Sequence, residues 1–141
     1  MKRIYTTESV SETEKLGAEI GRAAKPGDVI ALFGELGTGK TAITRGIACG
    51  LGITEDITSP TFSLMEIHEG DITLYHFDLY RIEDDSEFNN LCFEEYWEND
   101  GVSVIEWAER ALSRLPEERI NINIEYIDSN CRRITVEYPG N

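Results

Sequence analysis

The sequence predicts an α/β fold in which helices and hairpins surround one mixed β-sheet. Short apolar runs at residues 28–34 and 102–107 are typical of strands that are buried on both faces. Helical periodicity occurs at residues 11–28 and 40–52. Apolar and polar side chains alternate in two runs within residues 119–139, which predicts a C-terminal β-hairpin. These patterns indicate three layers around a central mixed sheet.

Local patterns predict the elements that precede the glycine-rich segment. Residues 3–9 predict a short strand. Ser11 and Glu14 have the spacing of a capping box, so we expect the first helix to begin there. Apolar side chains recur every fourth residue from Leu16, and Pro26 ends the pattern.

The second half of the chain adds a hairpin and shorter helices. Residues 62–80 predict two strands around a turn at residues 69–71. The acidic segment of residues 82–100, with its scattered aromatic side chains, predicts short helices. Residues 108–116 predict a helix that ends at the proline.

Length and charge limit what the protein can be. The 141 residues predict a single domain, residues 1–141, with one core. The 27 acidic and 13 basic residues give a net charge of -14, which repels nucleic-acid backbones, so no stable direct binding of nucleic acid is expected. We find no membrane-length apolar run and no secretory leader, and three widely spaced cysteines fit reduced thiols. A cytoplasmic protein is therefore expected.

The segment from Gly34 to Thr41 fits the phosphate-loop pattern G-x-x-x-x-G-K-[ST] in full. A buried-looking strand precedes it and a helix follows, which predicts a P-loop NTPase-like fold. Glycines let successive N–H groups point inward at an anion, and the helix adds its positive N-terminal end. We expect Lys40 to reach the β- and γ-phosphates and Thr41 to bind Mg²⁺. The predicted phosphate-binding residues are Gly34, Glu35, Leu36, Gly37, Thr38, Gly39, Lys40, Thr41 and Ala42.

Two acidic residues stand where a phosphate loop needs further Mg²⁺ ligands. Asp78 and Glu106 each close an apolar run that predicts a strand. Ligands gather at the carboxyl ends of strands in open α/β sheets, so we expect both residues near the metal. His76 lies on the same strand face as Asp78, and a hydrogen-bonded structural histidine is favoured there over a catalytic base.

Ser59, Pro60 and Thr61 lie between the phosphate-loop helix and the next strand, where nucleotide-dependent switch loops occur. Contact of Thr61 or Ser59 with the γ-phosphate or Mg²⁺ would order this loop. A turn fixed by Pro60 explains the same residues equally well.

The chain resembles the TsaE (YjeE) family, bacterial P-loop ATPases of tRNA threonylcarbamoyladenosine synthesis. The resemblance covers nearly the whole chain and rests on GELGTGKT, TSPTFSL, HFDLYR and VIEWAER, in that order. The phosphate loop alone is generic, whereas the other three motifs together are specific. Many members have Asp where Glu35 stands and Pro or Ser where Ala108 stands, and neither side chain is required for phosphate binding.

The resemblance implies a role in placing threonylcarbamoyl on adenosine 37 of tRNAs that read codons beginning with A. It implies that ATP and Mg²⁺ are bound and that TsaD, the transferase, and TsaB are the partners. Turnover by the isolated protein is expected to be weak, because the 141 residues supply no obvious arginine finger and few basic residues around the middle of the chain. By position it implies phosphate binding by Lys40 and Mg²⁺ binding by Thr41, Asp78 and Glu106. The resemblance also implies that Thr61 belongs to a switch-like loop and that Arg132 lies near the nucleotide, although Arg133 is adjacent.

The nucleotide and the reaction stay partly open from the residues alone. No N-K-x-D guanine motif is present, and no Lys or Arg occurs between residues 82 and 108 to form the basic lid of a small kinase. ATP is therefore favoured by elimination. The alternatives to an ATPase are a small-molecule kinase and a nucleotide-gated binding module with negligible hydrolysis.

Overall fold

A computed structural model describes residues 1–34, 40–55, 57, 65–79 and 100–139. Their elements in chain order are β1 (Lys2–Thr7), α1 (Val10–Ala23), β2 (Val29–Phe33), α2 (Lys40–Gly50), β3 (Met65–His68), β4 (Leu74–Asp78), β5 (Val102–Glu106), a 3₁₀ helix (Ala108–Arg114), β6 (Ile120–Tyr126) and β7 (Arg132–Glu137).

The strands form one mixed sheet in the order β1-β7-β6-β2-β5-β4-β3. The central strand β2 pairs in parallel with β6 on one side and β5 on the other, and β5 also pairs in parallel with β4. The outer pairs are antiparallel: β3 with β4, β6 with β7, and β1 with β7. The carboxyl ends of β2, β4, β5 and β6 therefore lie at one edge of the sheet.

Alternating side chains of β2 divide the core between the two faces of the sheet. Ile30 and Leu32 are fully buried in the larger apolar cluster, which includes residues of α1 and α2. Val29 and Ala31 are buried on the opposite face, in a cluster that includes Ala108 of the 3₁₀ helix. The described residues thus form three layers, with the sheet in the middle.

The first helix begins two residues before the predicted capping box. Ser9 is the N-cap, and its hydroxyl accepts a hydrogen bond from the Glu12 amide at 3.1 Å. The Glu12 carboxylate accepts one from the Glu8 amide at 2.9 Å. The predicted pair of Ser11 and Glu14 was wrong because the same Ser-x-x-Glu spacing occurs twice, and Glu14 instead pairs with Arg45 of α2 at 3.3 Å.

Helices α1 and α2 pack against each other through glycines. A Cβ atom added to Gly17 would lie 2.5 Å from the Ile43 carbonyl oxygen and 3.0 Å from the Cα of Gly46. Gly21 and Gly50 form an equivalent contact one turn further along. No side chain separates the helices at these points, so their backbones approach more closely than in ordinary helix packing.

Several other predicted elements are present in the structure. The α/β class, the mixed sheet and the C-terminal hairpin are confirmed, as is the hairpin within residues 62–80. The helix predicted at residues 108–116 is a short 3₁₀ helix, which the following proline prevents from extending. Residues 82–99, predicted as helices, lie outside the described residues. In the part of the chain that is described, no helix is long and apolar enough to cross a membrane.

We expect Gly17→Ala to destabilise the protein by about 1–3 kcal/mol, because the added methyl group meets backbone atoms that cannot rotate away. The higher helix propensity of alanine offsets only about 1 kcal/mol of this penalty. Urea unfolding of the variant measures the change. Glu19→Ala, on the exposed side of α1, is the control and should unfold as the wild type does. Equal stability of Gly17→Ala and wild type would contradict the close packing.

Candidate nucleotide-binding site

The site lies where parallel strands end and α2 begins. β2 ends at Phe33, immediately before Gly34, and α2 starts at Lys40. On the neighbouring strands, Asp78 and Glu106 end β4 and β5 and are direct partners in the parallel register. The amide of Leu79 continues this pairing by donating to the Glu106 carbonyl at 3.1 Å. The sheet therefore carries both acidic residues to the edge from which the phosphate-loop segment leaves.

Lys40 is buried at this edge, where its ammonium contacts two of the described residues. Its side chain and backbone together are 4% exposed. Its Nζ donates to the Gly34 carbonyl at 2.8 Å and lies 3.7 Å from the centre of the Trp107 ring. Gly34 has a φ of 148°, a backbone angle that favours glycine. The Lys40 side chain thus links the first residue of α2 to the residue that follows β2.

Burial lowers the pKa of Lys40, because the charged form loses its hydration. Three carboxylates oppose this shift by their negative charge, in the order Glu109, Glu106 and Asp78. Lys40 is therefore electrostatically coupled to both acidic residues that the sequence predicts as metal ligands. The structure brings these three residues into one cluster.

The Glu106 carboxylate is bound by His76. Oε2 of Glu106 pairs with Nε2 of His76, and both side chains are almost completely buried. His76 lies two residues before Asp78 on β4, opposite Val104 of β5. His76 is thus a hydrogen-bonded histidine, as the sequence analysis favours.

Trp107 is a site residue that the sequence reasoning missed. Among the described residues it is the one non-glycine with a positive φ, at 59°, a conformation that costs an L-residue about 1–2 kcal/mol. It follows Glu106 directly, and its ring faces Lys40 at 3.7 Å and the guanidinium of Arg110 at 5.9 Å. The sequence did offer one indication that Trp107 belongs to the site: it directly follows Glu106 in the motif VIEWAER.

A small cleft lies beside the first turn of α2. It is lined by Ser9, Val10, Thr13, Ala42, Ser129, Asn130 and Arg132. Arg132 donates to the carbonyls of Asp128 at 2.6 Å and Cys131 at 2.9 Å, and its guanidinium lies over the Tyr126 ring at 4.7 Å. Its neighbour Arg133 instead pairs with Glu125 at 3.6 Å. Arg132 and Ala42, both predicted near the nucleotide, therefore line one cleft.

The turn that holds Arg132 is fixed by Asp128. Its carboxylate accepts hydrogen bonds from the amides of Asn130 and Cys131, each at 2.9 Å. These two donors, Asn130 first, hold the pKa of Asp128 below its ordinary value. The cleft residues of this turn come from the far end of the sequence, so periodicity along the chain gave no indication of them.

Part of the predicted site lies outside the described residues. This applies to five residues of the phosphate loop and to the proposed switch loop: Glu35, Leu36, Gly37, Thr38, Gly39, Ser59, Pro60 and Thr61. Thr41 occupies the second position of α2 and is half-buried.

The oxygen donors at this edge suit Mg²⁺ that is bound together with a nucleotide. No group of three or more His, Cys, Asp or Glu side chains able to hold a metal occurs in the described ranges. Mg²⁺ in phosphate sites usually keeps several waters and binds one or two carboxylates together with phosphate oxygens. The oxygen donors of Asp78, Glu106 and Thr41 fit that pattern, in which the nucleotide supplies the missing ligands.

A central parallel strand followed by a glycine-rich segment and a helix with a buried lysine defines a P-loop NTPase-like protein, and the predicted fold class is confirmed. A family model described as "Threonylcarbamoyl adenosine biosynthesis protein TsaE" matches residues 7–134. The chain belongs to this TsaE family, as its motifs predicted.

Individual relatives cover nearly the whole chain. The chain is 43% identical to the tRNA threonylcarbamoyladenosine biosynthesis protein TsaE of Bacillus subtilis, over 100% of this chain and 89% of that protein. It is 42% identical to the protein of the same name from Treponema pallidum, over 91% of this chain and 95% of that one. The crystal structure of Bacillus subtilis YdiB is similar with a TM-score of 0.86 and 35% identity, over 99% of this chain and 87% of that one.

Replacing Lys40 with methionine tests the effect of burying its ammonium. Because the pKa of Lys40 is lowered in the folded protein, unfolding takes up a proton between that lowered pKa and the ordinary lysine pKa of about 10.4. The wild type should therefore gain stability relative to Lys40→Met as pH rises through this range.

Urea unfolding of both proteins without nucleotide, from about pH 8 to about pH 10.5, measures this difference. Lys15→Met makes the same replacement at an exposed lysine of α1 and is the control for the loss of one lysine charge. A difference between wild type and Lys40→Met that stays constant or reverses with pH would contradict the lowered pKa.

Proposed function

We propose that this protein is a cytoplasmic ATPase that binds ATP with Mg²⁺ and serves the formation of threonylcarbamoyladenosine in tRNA by nucleotide-dependent binding to a TsaD–TsaB complex. The observation that carries the proposal is the convergence of Lys40, Asp78 and Glu106 beside the N-terminus of α2. A cation, two strand-end carboxylates and a helix N-terminus are the components that phosphoryl transfer uses.

Phosphate binding by Lys40 is supported by its present contacts. Its ammonium is held by a carbonyl oxygen and an aromatic ring, both of which are neutral. A charged phosphate oxygen is a stronger acceptor for an ammonium than either of these groups. We expect Lys40 to exchange the Gly34 carbonyl for phosphate while the N–H groups at the start of α2 face the same anion.

The surrounding carboxylates support a requirement for a divalent cation. Glu109, Glu106 and Asp78 all act on the single ammonium of Lys40, so phosphates entering alone would meet net repulsion. Bound Mg²⁺ would neutralise charge on the transferring phosphoryl group. Glu106 and Asp78 are the carboxylates that would hold it, together with the hydroxyl of Thr41, and all three belong to the ends of ordered elements.

The cleft beside α2 supports binding of the nucleoside. Ala42 joins it to the phosphate end, since this residue stands two positions after Lys40. The hydroxyl, amide and guanidinium groups of Ser9, Asn130 and Arg132 are suitable donors and acceptors for a ribose or a base. The adenine, however, is favoured only by the family resemblance and by the absence of a guanine motif in the sequence.

The reaction class is supported by the family and its relatives. Both the family description and the names of the similar proteins refer to threonylcarbamoyladenosine biosynthesis. The TsaD and TsaB partners are proposed from the resemblance of the motifs alone. A protein of 141 residues whose candidate site is built for a nucleotide is well suited to be a regulatory subunit. A partner would then recognise whether the nucleotide is bound.

We expect Lys40→Ala to weaken ATP binding by roughly tenfold or more, because a charge-assisted contact of about 1.5–3 kcal/mol is lost. Isothermal titration calorimetry with Mg·ATP measures the affinity. Lys15→Ala removes the same charge from an exposed position on α1 and should bind ATP as the wild type does. If Lys40→Ala is folded and retains wild-type affinity, the phosphate site is not where we propose it.

We expect ATP hydrolysis by the isolated protein to be slow and to increase when a TsaD–TsaB complex is added. A surface or arginine supplied by a partner raises turnover of P-loop enzymes by about 10³–10⁵. Thr61→Ala should reduce the stimulated rate more than it reduces ATP affinity, if residues 59–61 act as a switch. A phosphate-release assay with and without the complex measures both effects.

The same assay separates the alternatives. Phosphate release without a phosphorylated acceptor supports an ATPase, whereas transfer to a small molecule supports a kinase. Fast turnover that the complex leaves unchanged would contradict the subunit role. Nucleotide-dependent binding without any hydrolysis would favour a nucleotide-gated binding module.

A further inference from the structure

We propose that His76 is a positioning residue that orients the Glu106 carboxylate towards Mg²⁺ at the nucleotide site. Its Nε2 pairs with Oε2 of Glu106, and a carboxylate oxygen only accepts, so Nε2 carries the proton. The inference rests on the proposed function, because it needs Mg²⁺ to bind at Glu106.

The environment makes this hydrogen bond strong. The side chains of His76 and Glu106 are 0% and 4% exposed. In such a poorly hydrated setting a satisfied hydrogen bond is strong, and a polar atom without a partner is costly. Nδ1 of His76 is buried and has no hydrogen-bond partner in the described part of the chain. Among the described residues, Glu106 is therefore the hydrogen-bond partner of the His76 ring.

The fold alone would be served better by an apolar residue at position 76. Leu74 precedes it by two residues on the same face of β4, is fully buried, and packs in the larger apolar cluster. Val104, the register partner of His76, belongs to the same cluster. A leucine at position 76 would extend this cluster without desolvating two ring nitrogens. The contribution of the histidine therefore lies at Glu106 and not in the core.

The hydrogen bond restricts how Glu106 presents its oxygens. A glutamate at a strand end rotates about three side-chain bonds, and a fixed partner on Oε2 selects one orientation. Oε1 is then the oxygen that remains for a metal, which agrees with the way single carboxylate oxygens bind Mg²⁺. Groups that orient metal ligands in this way typically change metal affinity by about 10–100-fold when they are removed.

The test compares binding of ATPγS in Mg²⁺ and in EDTA by isothermal titration calorimetry. The Mg²⁺ coupling is the dissociation constant in EDTA divided by that in Mg²⁺. We expect His76→Leu to lower this coupling by about tenfold or more while binding in EDTA changes little. His76→Gln should keep most of the coupling, because its amide nitrogen can donate to Glu106 as Nε2 does.

A double-mutant cycle shows whether His76 acts through Glu106. Glu106→Gln should lower the coupling by itself, and adding His76→Leu to it should lower the coupling no further. His68 provides the matched control. It is also buried and also paired with glutamates, Glu55 at 2.5 Å and Glu66 at 3.4 Å, but on the edge strand β3. His68→Leu should leave the Mg²⁺ coupling unchanged.

One result overturns the inference alone: wild-type coupling in folded His76→Leu, whether the affinities are unchanged or fall equally in EDTA and in Mg²⁺. A wild type that binds ATPγS equally with and without Mg²⁺ would instead overturn the proposed metal site. If His76→Leu does not fold, nitrogen NMR of the wild type decides, since the chain has only two histidines. The inference is supported if Nε2 of His76 carries the proton and the ring nitrogen shifts change with Mg·ATPγS but not with ATPγS in EDTA. It is refuted if Nδ1 carries the proton or if the shifts do not distinguish Mg·ATPγS from ATPγS in EDTA.

Discussion

The parallel pairing of β5 with both β2 and β4 is the constraint on which the site depends. Parallel strands end at the same edge of a sheet, and here three of them deliver Gly34, Asp78 and Glu106 to that edge. The pairing is stabilised by near-complete burial, since every residue of β5 is buried. A shift of one residue in this register would exchange the two faces and turn Glu106 away from Lys40.

The close contact between α1 and α2 adds a second constraint. α2 carries Lys40 at its first position, so the place of the ammonium depends on how the helix lies on the sheet. The backbones of α1 and α2 touch at Gly17 and Gly21, where even an added Cβ atom would collide with a carbonyl oxygen of α2. Such close packing leaves α2 little freedom to slide or rotate. The same contact brings Ser9, the N-cap of α1, to the cleft beside Ala42. Glycines that lower helix propensity thus position the site.

Local sequence patterns predicted the parts of the site that lie on regular elements. Asp78 and Glu106 could be assigned to strand ends because apolar runs lead directly into them, and Lys40 because a motif fixes its spacing. The start of α1 could not be predicted, since two Ser-x-x-Glu pairs in the sequence offer the same capping pattern. Neither the contact of Trp107 with Lys40 nor the cleft around Arg132 could be predicted, because both join residues far apart in the sequence.

The end of β5 connects the carboxylate of Glu106 with the ammonium of Lys40. Glu106 and Trp107 are consecutive, and the first contacts His76 while the second contacts Lys40. Trp107 has a left-handed backbone, and its side chain also packs against the apolar cluster that contains Val29 and Ala31, on the opposite face of the sheet from Val104. Any ligand that draws Lys40 from the ring therefore acts on the residue next to the proposed metal ligand. The 3₁₀ helix begins at the following residue, Ala108, which is buried in the cluster that contains Val29 and Ala31.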